Sequence, residues 1–134
     1  MKPRRLLETS LYSSDLEAAE HFYAGVLGLE MIGRVAGRHV FFRCGDGVLL
    51  VFDPEATSSP GGQVPAHGAR GAGHIAFAAT AVELDGWRTH FRARGIAIEH
   101  EAQWPGGARS FYVRDPAGNS IEFAEAALWG IEKA

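Results

Sequence analysis

Residues 108–125 read Ala-Arg-Ser-Phe-Tyr-Val-Arg-Asp-Pro-Ala-Gly-Asn-Ser-Ile-Glu-Phe-Ala-Glu, and the fold turns on them. Two alternating runs, 109–114 and 119–124, flank Asp115-Pro116-Ala117-Gly118. Proline presets one turn dihedral, and glycine admits a positive φ with little strain. The stretch therefore predicts a β-hairpin with a short loop. Its second strand sets Glu122 among Ile121, Phe123 and Ala124. A carboxylate in that company costs stability unless it is solvated, paired, hydrogen-bonded or bound to a cation. The plain outcome is a solvated acid on a sheet edge.

Upstream of the hairpin, Gly73-His74-Ile75-Ala76-Phe77-Ala78 reads as a strand. Residues 82–94 follow as a helix with Val82, Leu84, Trp87, Phe91 and Ala93 apolar, and Gly95 ends it. A short strand at 96–100 and a turn-rich loop at 103–107 complete a βαβββ unit. The first half repeats that order. Residues 6–12 alternate as a strand, and Ser14-Asp15-Leu16-Glu17 offers a capping box. Leu16, Ala19, Phe22, Tyr23, Val26 and Leu27 then keep helical spacing up to Gly28. Strands at 29–35, 39–44 and 48–52 follow, separated by glycine turns. The modules expected are 1–54 and 73–126, within one domain spanning 1–134. Residues 55–72, rich in Pro, Gly, Ser and Ala, join them as a linker or active-site loop.

Composition sets the class. At 134 residues, 46% hydrophobic and 22% charged, the chain suits a soluble domain or two half-domains sharing a core. A net charge of -3 without a basic cluster argues against a nucleic-acid partner. No apolar stretch has signal or membrane length, so no membrane partner is expected. The single cysteine, Cys44, cannot form an internal disulfide, which points to a reducing, cytoplasmic setting. With no helix start or base beside it, Cys44 reads as a small core residue.

Laid over each other, the halves match 38–43 to 109–114, and the same register puts Gly47 on Gly118, Val51 on Glu122 and Phe52 on Phe123. The first strands place Glu8 on His74. Such a repeat suggests two modules that bury one another's faces. Glu8, Val51, His74 and Glu122 then occupy equivalent places, and three of the four are metal-capable. Ser10, Ala76 and Ser120 share their faces and leave room beside them. Leu7, Leu11, Ile75, Phe77, Ile121 and Phe123 face the helices. One imidazole and two carboxylates suit a single divalent ion such as manganese, iron, cobalt, nickel or zinc. Three protein ligands leave positions for water and substrate oxygens.

These motifs carry a resemblance. Asp15-Leu16, Phe22-Tyr23 and Leu27-Gly28-Leu29 are followed by Gly73-His74-Ile75-Ala76-Phe77, and then by Asp115-Pro116-Ala117-Gly118-Asn119-Ser120-Ile121-Glu122. In order and spacing they resemble the vicinal oxygen chelate superfamily of glyoxalase I, fosfomycin-resistance enzymes, extradiol dioxygenases and bleomycin-resistance proteins. The resemblance implies an α+β fold of two βαβββ modules whose curled mixed sheets share a cavity. For a short chain it implies a homodimer, with sites built from both modules of one chain or from swapped ones. It carries metal-ligand roles onto His74 and Glu122. Glu8 stands where many members have histidine, and Val51 where glyoxalase I has a further glutamate. Extradiol dioxygenases use two histidines and one glutamate, a pattern that Glu8 breaks.

The function expected is a metal-dependent enzyme of the glyoxalase or dioxygenase type: a lyase, isomerase, transferase or dioxygenase. It acts on a small molecule that chelates the ion through neighbouring oxygens. Glu8, His74 and Glu122 are the metal ligands, with Glu8 or Glu122 also serving as base. Ser110 and Tyr112 match cavity-lining positions of fosfomycin-type relatives, and the repeat adds His39 and Phe41. His67, Trp104 and Arg109 are placed to close over a substrate. The alternative is a metal-free protein that sequesters a drug or metabolite, as bleomycin-resistance relatives do. The apolar tail at 128–131 is expected to dock on its own module or on a partner chain.

Overall fold

A computed structural model describes residues 1–131. Each half of the chain runs β-α-β-β-β, and each forms one four-stranded mixed sheet. One compact unit comprises Met1–Gly73 with Pro116–Gly118, and the second comprises His74–Asp115 and the chain from Asn119 on.

In the first unit the strands are β1 (Glu8–Tyr12), β2 (Glu30–Val35), β3 (His39–Cys44) and β4 (Gly47–Phe52), in the order β1-β4-β3-β2. β1 runs parallel to β4, and the other pairs are antiparallel. Helix α1 (Leu16–Glu20) is capped by Asp15, whose carboxylate accepts from the Ala18 N–H at 3.0 Å. The cap thus falls one residue after the expected Ser14, because Ser13 Oγ takes the Asp15 N–H and returns a bond to the Asp15 carbonyl. Past Glu20 the helix widens into a π-helical stretch, His21–Val26. There Tyr23 is fully buried, its ring 5.5 Å from Phe42. Leu11, Val40, Phe42 and Val51 form the sheet side of this core.

The expected loop 55–72 is not wholly irregular. Helix α2 (Pro54–Ser58) opens it, with the Asp53 carboxylate accepting from the Glu55 N–H at 2.9 Å and proline in the first turn. Asp-Pro is a helix-start signal in its own right. The periodicity was too short to show it.

In the second unit β5 (His74–Ala78), β6 (His100–Gln103), β7 (Arg109–Arg114) and β8 (Ser120–Ala124) are ordered β5-β8-β7-β6. β5 is parallel to β8, and the rest are antiparallel. Helix α3 (Ala81–Ala93) starts in a reciprocal box, Thr80 Oγ1 taking the Glu83 N–H while Glu83 takes the Thr80 N–H. Its inner side brings Trp87 and Phe91 against Phe111 and Phe123, ring centroids 4.9–6.0 Å apart. β6 begins at His100 and not at Ile96. The Ile96 N–H returns to the Phe91 carbonyl to end α3, and strand pairing starts only with Glu99 N–H to the Tyr112 carbonyl at 2.8 Å. Beyond β8 a 3-10 turn, Ala126–Trp129, leaves Trp129 80% exposed.

Candidate active site

The turn 115–119 explains how the sequence places its buried acid. Asp115 is itself buried and ties the loop together. Its carboxylate accepts from the Asn119 backbone at 2.8 Å and from the Asn119 side-chain amide at 2.9 Å. Gly118 supplies the φ of 87° that closes it. The register that results pairs Tyr112 with Glu122 and Ser110 with Ala124 on one side of β8. On the other side Ala76 pairs with Glu122 and His74 with Ser120. Alternation then puts His74, Ala76, Ser110, Tyr112, Ser120 and Glu122 on one face. Ile75, Phe77, Phe111, Ile121 and Phe123 take the face toward α3.

On that face Glu122 is 7% exposed and His74 about half exposed. His74 Nε2 lies 3.3 Å from Glu122 Oε1, while His74 Nδ1 lies 3.0 Å from the Ser120 carbonyl. A carbonyl only accepts, so Nδ1 carries the proton. Nε2 is the ring nitrogen that faces the Glu122 carboxylate. Glu122 Oε2 is buried as well and finds no hydrogen-bond partner among the described residues.

Tyr112 stands beside this pair, its ring 6.1 Å from His74 and 5.8 Å from His100. Burial pushes the Tyr112 phenol above its usual range, the Glu122 carboxylate adds to this, and Ser110 opposes it. The phenol is therefore un-ionised. Ser110 is buried and receives the Trp104 indole N–H at 2.9 Å, so Trp104 fixes the hydroxyl next to Tyr112. Arg109 belongs elsewhere. It reaches the Ala81 carbonyl at 3.3 Å, Asp85 at 3.7 Å and Glu125 at 3.7 Å, on the α3 side of the sheet.

The remaining candidates lie in the first unit. Glu8 is exposed at the start of β1, opposite Val48. It lines a cleft of about 700 Å³ with Ser10, Tyr12, Phe41, Phe52 and His67. His67 is half-buried: Nδ1 is 2.7 Å from the Tyr12 hydroxyl, and its ring lies edge-on to Phe52 at 4.6 Å. His39 stacks on Phe41 at 3.9 Å. Among the described residues no three His, Cys, Asp or Glu side chains form a ready-made ligand set.

The strand register corrects one equivalence. Phe41 pairs with Leu50 as Tyr112 pairs with Glu122, and Glu8 pairs with Val48 as His74 pairs with Ser120. Leu50, and not Val51, therefore occupies the place of Glu122. The β3–β4 turn is one residue shorter than the β7–β8 turn, which an overlay without gaps cannot register. Val51 is fully buried in the opposite face. Sequence reasoning also missed Tyr12, Arg38 and His100. Only the alternation of their strands could have pointed to Tyr12 and His100, and nothing marked Arg38.

The profile of the Glyoxalase/Bleomycin resistance protein/Dioxygenase superfamily matches residues 5–123. Among solved structures, a lactoylglutathione lyase from Agrobacterium tumefaciens is 49% identical, with 98% of this chain and 100% of that one covered at a TM-score of 0.95. A glyoxalase/bleomycin resistance protein/dioxygenase from Nocardioides is 27% identical, covering 93% and 85% at 0.74. An integron cassette protein of V. cholerae is 25% identical, covering 94% and 98% at 0.73. No curated protein matches the chain. With the α+β sheets and motif order already described, these matches show that the chain belongs to the Glyoxalase/Bleomycin resistance protein/Dioxygenase superfamily.

Proposed function

We propose that this protein is a divalent-metal-dependent enzyme of the glyoxalase type, acting on a small molecule with two neighbouring oxygens. One observation carries the reading. His74 Nε2 and Glu122 Oε1 face each other at 3.3 Å on the cavity side of the sheet, with Glu122 Oε2 buried and unpartnered among the described residues. Two ligands about 2.1 Å from one ion stand roughly 3.0–3.4 Å apart in octahedral or tetrahedral geometry. Nitrogen-plus-carboxylate donors suit manganese, iron, cobalt, nickel or zinc. His74 and Glu122 would hold the ion. When bound, the ion would polarise the two substrate oxygens.

The lyase from A. tumefaciens suggests the first compound to test, a lactoyl thioester of glutathione. Such a thioester carries a carbonyl and a hydroxyl on adjacent carbons. Its cleavage to a thiol and a 2-oxoaldehyde needs one proton moved from the hydroxyl-bearing carbon to the thioester carbon, and another moved between the two oxygens. The resulting hemithioacetal then breaks its C–S bond as its hydroxyl proton passes to sulfur. Glu8, exposed in a cleft, is the carboxylate free to carry the carbon-bound proton. The un-ionised Tyr112 donates a hydrogen bond to a substrate oxygen, and Trp104 and Ser110 keep it oriented. Phe41 and His67 receive the remainder of the substrate in the first module's cleft, with His39 stacked on Phe41 behind them.

The edge strands β1 and β5 and the exposed Trp129 support a two-fold homodimer. The one cysteine, Cys44, is free, which supports work in the reducing cytoplasm. Among the described residues no helix is long and apolar enough to cross a membrane.

The test is turnover of lactoyl thioester in both directions, before and after chelation and with each ion restored. Metal-dependent turnover that Glu8→Ala and His74→Ala both abolish supports the proposal. Tight binding of small molecules with no turnover under any ion would favour the sequestering alternative.

A further inference from the structure

The cleft of the first unit has two unlike ends. Glu8 stands at one end of β1 and Tyr12 at the other, four residues and roughly 13 Å apart. Tyr12 pairs with Phe52, and Phe52 with His39, so the far end gathers Tyr12, His39, Phe52 and His67. Arg38 lies over it. Its guanidinium is 5.5 Å from the centre of the Phe52 ring, and Nη1 is 2.6 Å from His39 Nδ1. Burial and then the Arg38 charge push the His39 imidazole down, so His39 is the neutral acceptor in that contact. Arg38 forms no ion pair among the described residues. The wall between the two ends is Ser10, Phe41, Val48 and Leu50, largely apolar.

A half-buried cation with neutral and aromatic neighbours lacks its counter-charge, and a planar guanidinium matches a carboxylate through two parallel hydrogen bonds. The ring faces beside it favour a flat body over a branched one. We propose that this cleft binds a small organic acid with a planar, unsaturated body. Its carboxylate sits on Arg38, its body lies along Phe41 and Phe52, and its opposite end points toward Glu8. This names a substrate class for the proposed reaction and rests on that reading only through Glu8. The acid group is held at the end away from the oxygens to be acted on.

The probe is 2-naphthoate, against the uncharged 2-naphthamide of the same shape. Titration calorimetry is run on chelator-treated protein and on His74→Ala, so that the result does not depend on any metal. The wild-type chain is expected to bind naphthoate one to one, and at least about tenfold more tightly than the amide. Arg38→Gln should erase that preference, and Arg38→Lys should keep part of it. Phe41→Ala should weaken both probes together. Circular dichroism confirms that each variant is folded. Equal affinity for acid and amide, an unchanged preference in Arg38→Gln, or no binding of either would overturn the proposal. None of these results bears on whether His74 and Glu122 hold an ion.

Discussion

Glu122→Gln separates the structural cost of the site from its use. In the metal-free wild type His74 Nε2 stands 3.3 Å from Glu122 Oε1, and Oε2 is buried without a partner among the described residues. A buried acceptor left unmade costs about 1–3 kcal/mol. Glutamine keeps the shape, removes the charge, and turns one atom into a donor that His74 Nε2 accepts. The metal-free variant should therefore be more stable than metal-free wild type by about 1–3 kcal/mol. For a domain of this size each kcal/mol raises Tm by roughly 3–4 °C. A saturating ion should reverse the order, because at a thousand times its Kd it adds about 4.1 kcal/mol to a chain that binds it. The assay is thermal unfolding of both proteins, with chelator and with manganese or nickel. A less stable metal-free Glu122→Gln, or equal stabilisation of both proteins by the ion, would refute the reasoning.

Further substitutions test other parts of the account. Val51→Glu should destabilise by about 3 kcal/mol or more or prevent folding, since it buries a charge on the helix-facing side of the sheet. Leu50→Glu, on the cleft wall, should be tolerated at least about 2 kcal/mol better. Equal urea midpoints for the two would contradict the corrected register. Thr80→Ala should cost about 1 kcal/mol through loss of the reciprocal cap on α3, read in the same urea series. Trp104→Phe should leave the fold intact and lower kcat more than it raises KM, because the lost N–H orients Ser110 and Tyr112 without touching substrate.

The strands and their order were legible because glycine turns and alternation punctuate both halves. Strands 39–44 and 109–114 came out as read, and the buried Glu122 was visible in its own hairpin. What the sequence hid was one residue of turn length. Cys44 to Gly47 closes a tighter turn than Asp115 to Asn119, and that difference moves the Glu122 equivalent from Val51 to Leu50. Helix α2 escaped notice because five residues carry no periodicity, although Asp53-Pro54 marked its start. Strand β6 was displaced because Ile96-Ala97-Ile98 resembles a strand by composition, whereas the hydrogen bonds spend Ile96 on ending α3. The cleft around Arg38 and His67 depends on contacts far apart in sequence, Tyr12 to His67 above all, which no local pattern announces.

The most direct test of the central claim is the metal content of untagged protein, measured by mass spectrometry on wild type and on His74→Ala after identical purification and nickel or manganese loading. The account predicts about one divalent ion per chain in wild type and none in His74→Ala, with circular dichroism unchanged between them. An empty wild-type protein, or an ion retained by His74→Ala, would contradict it.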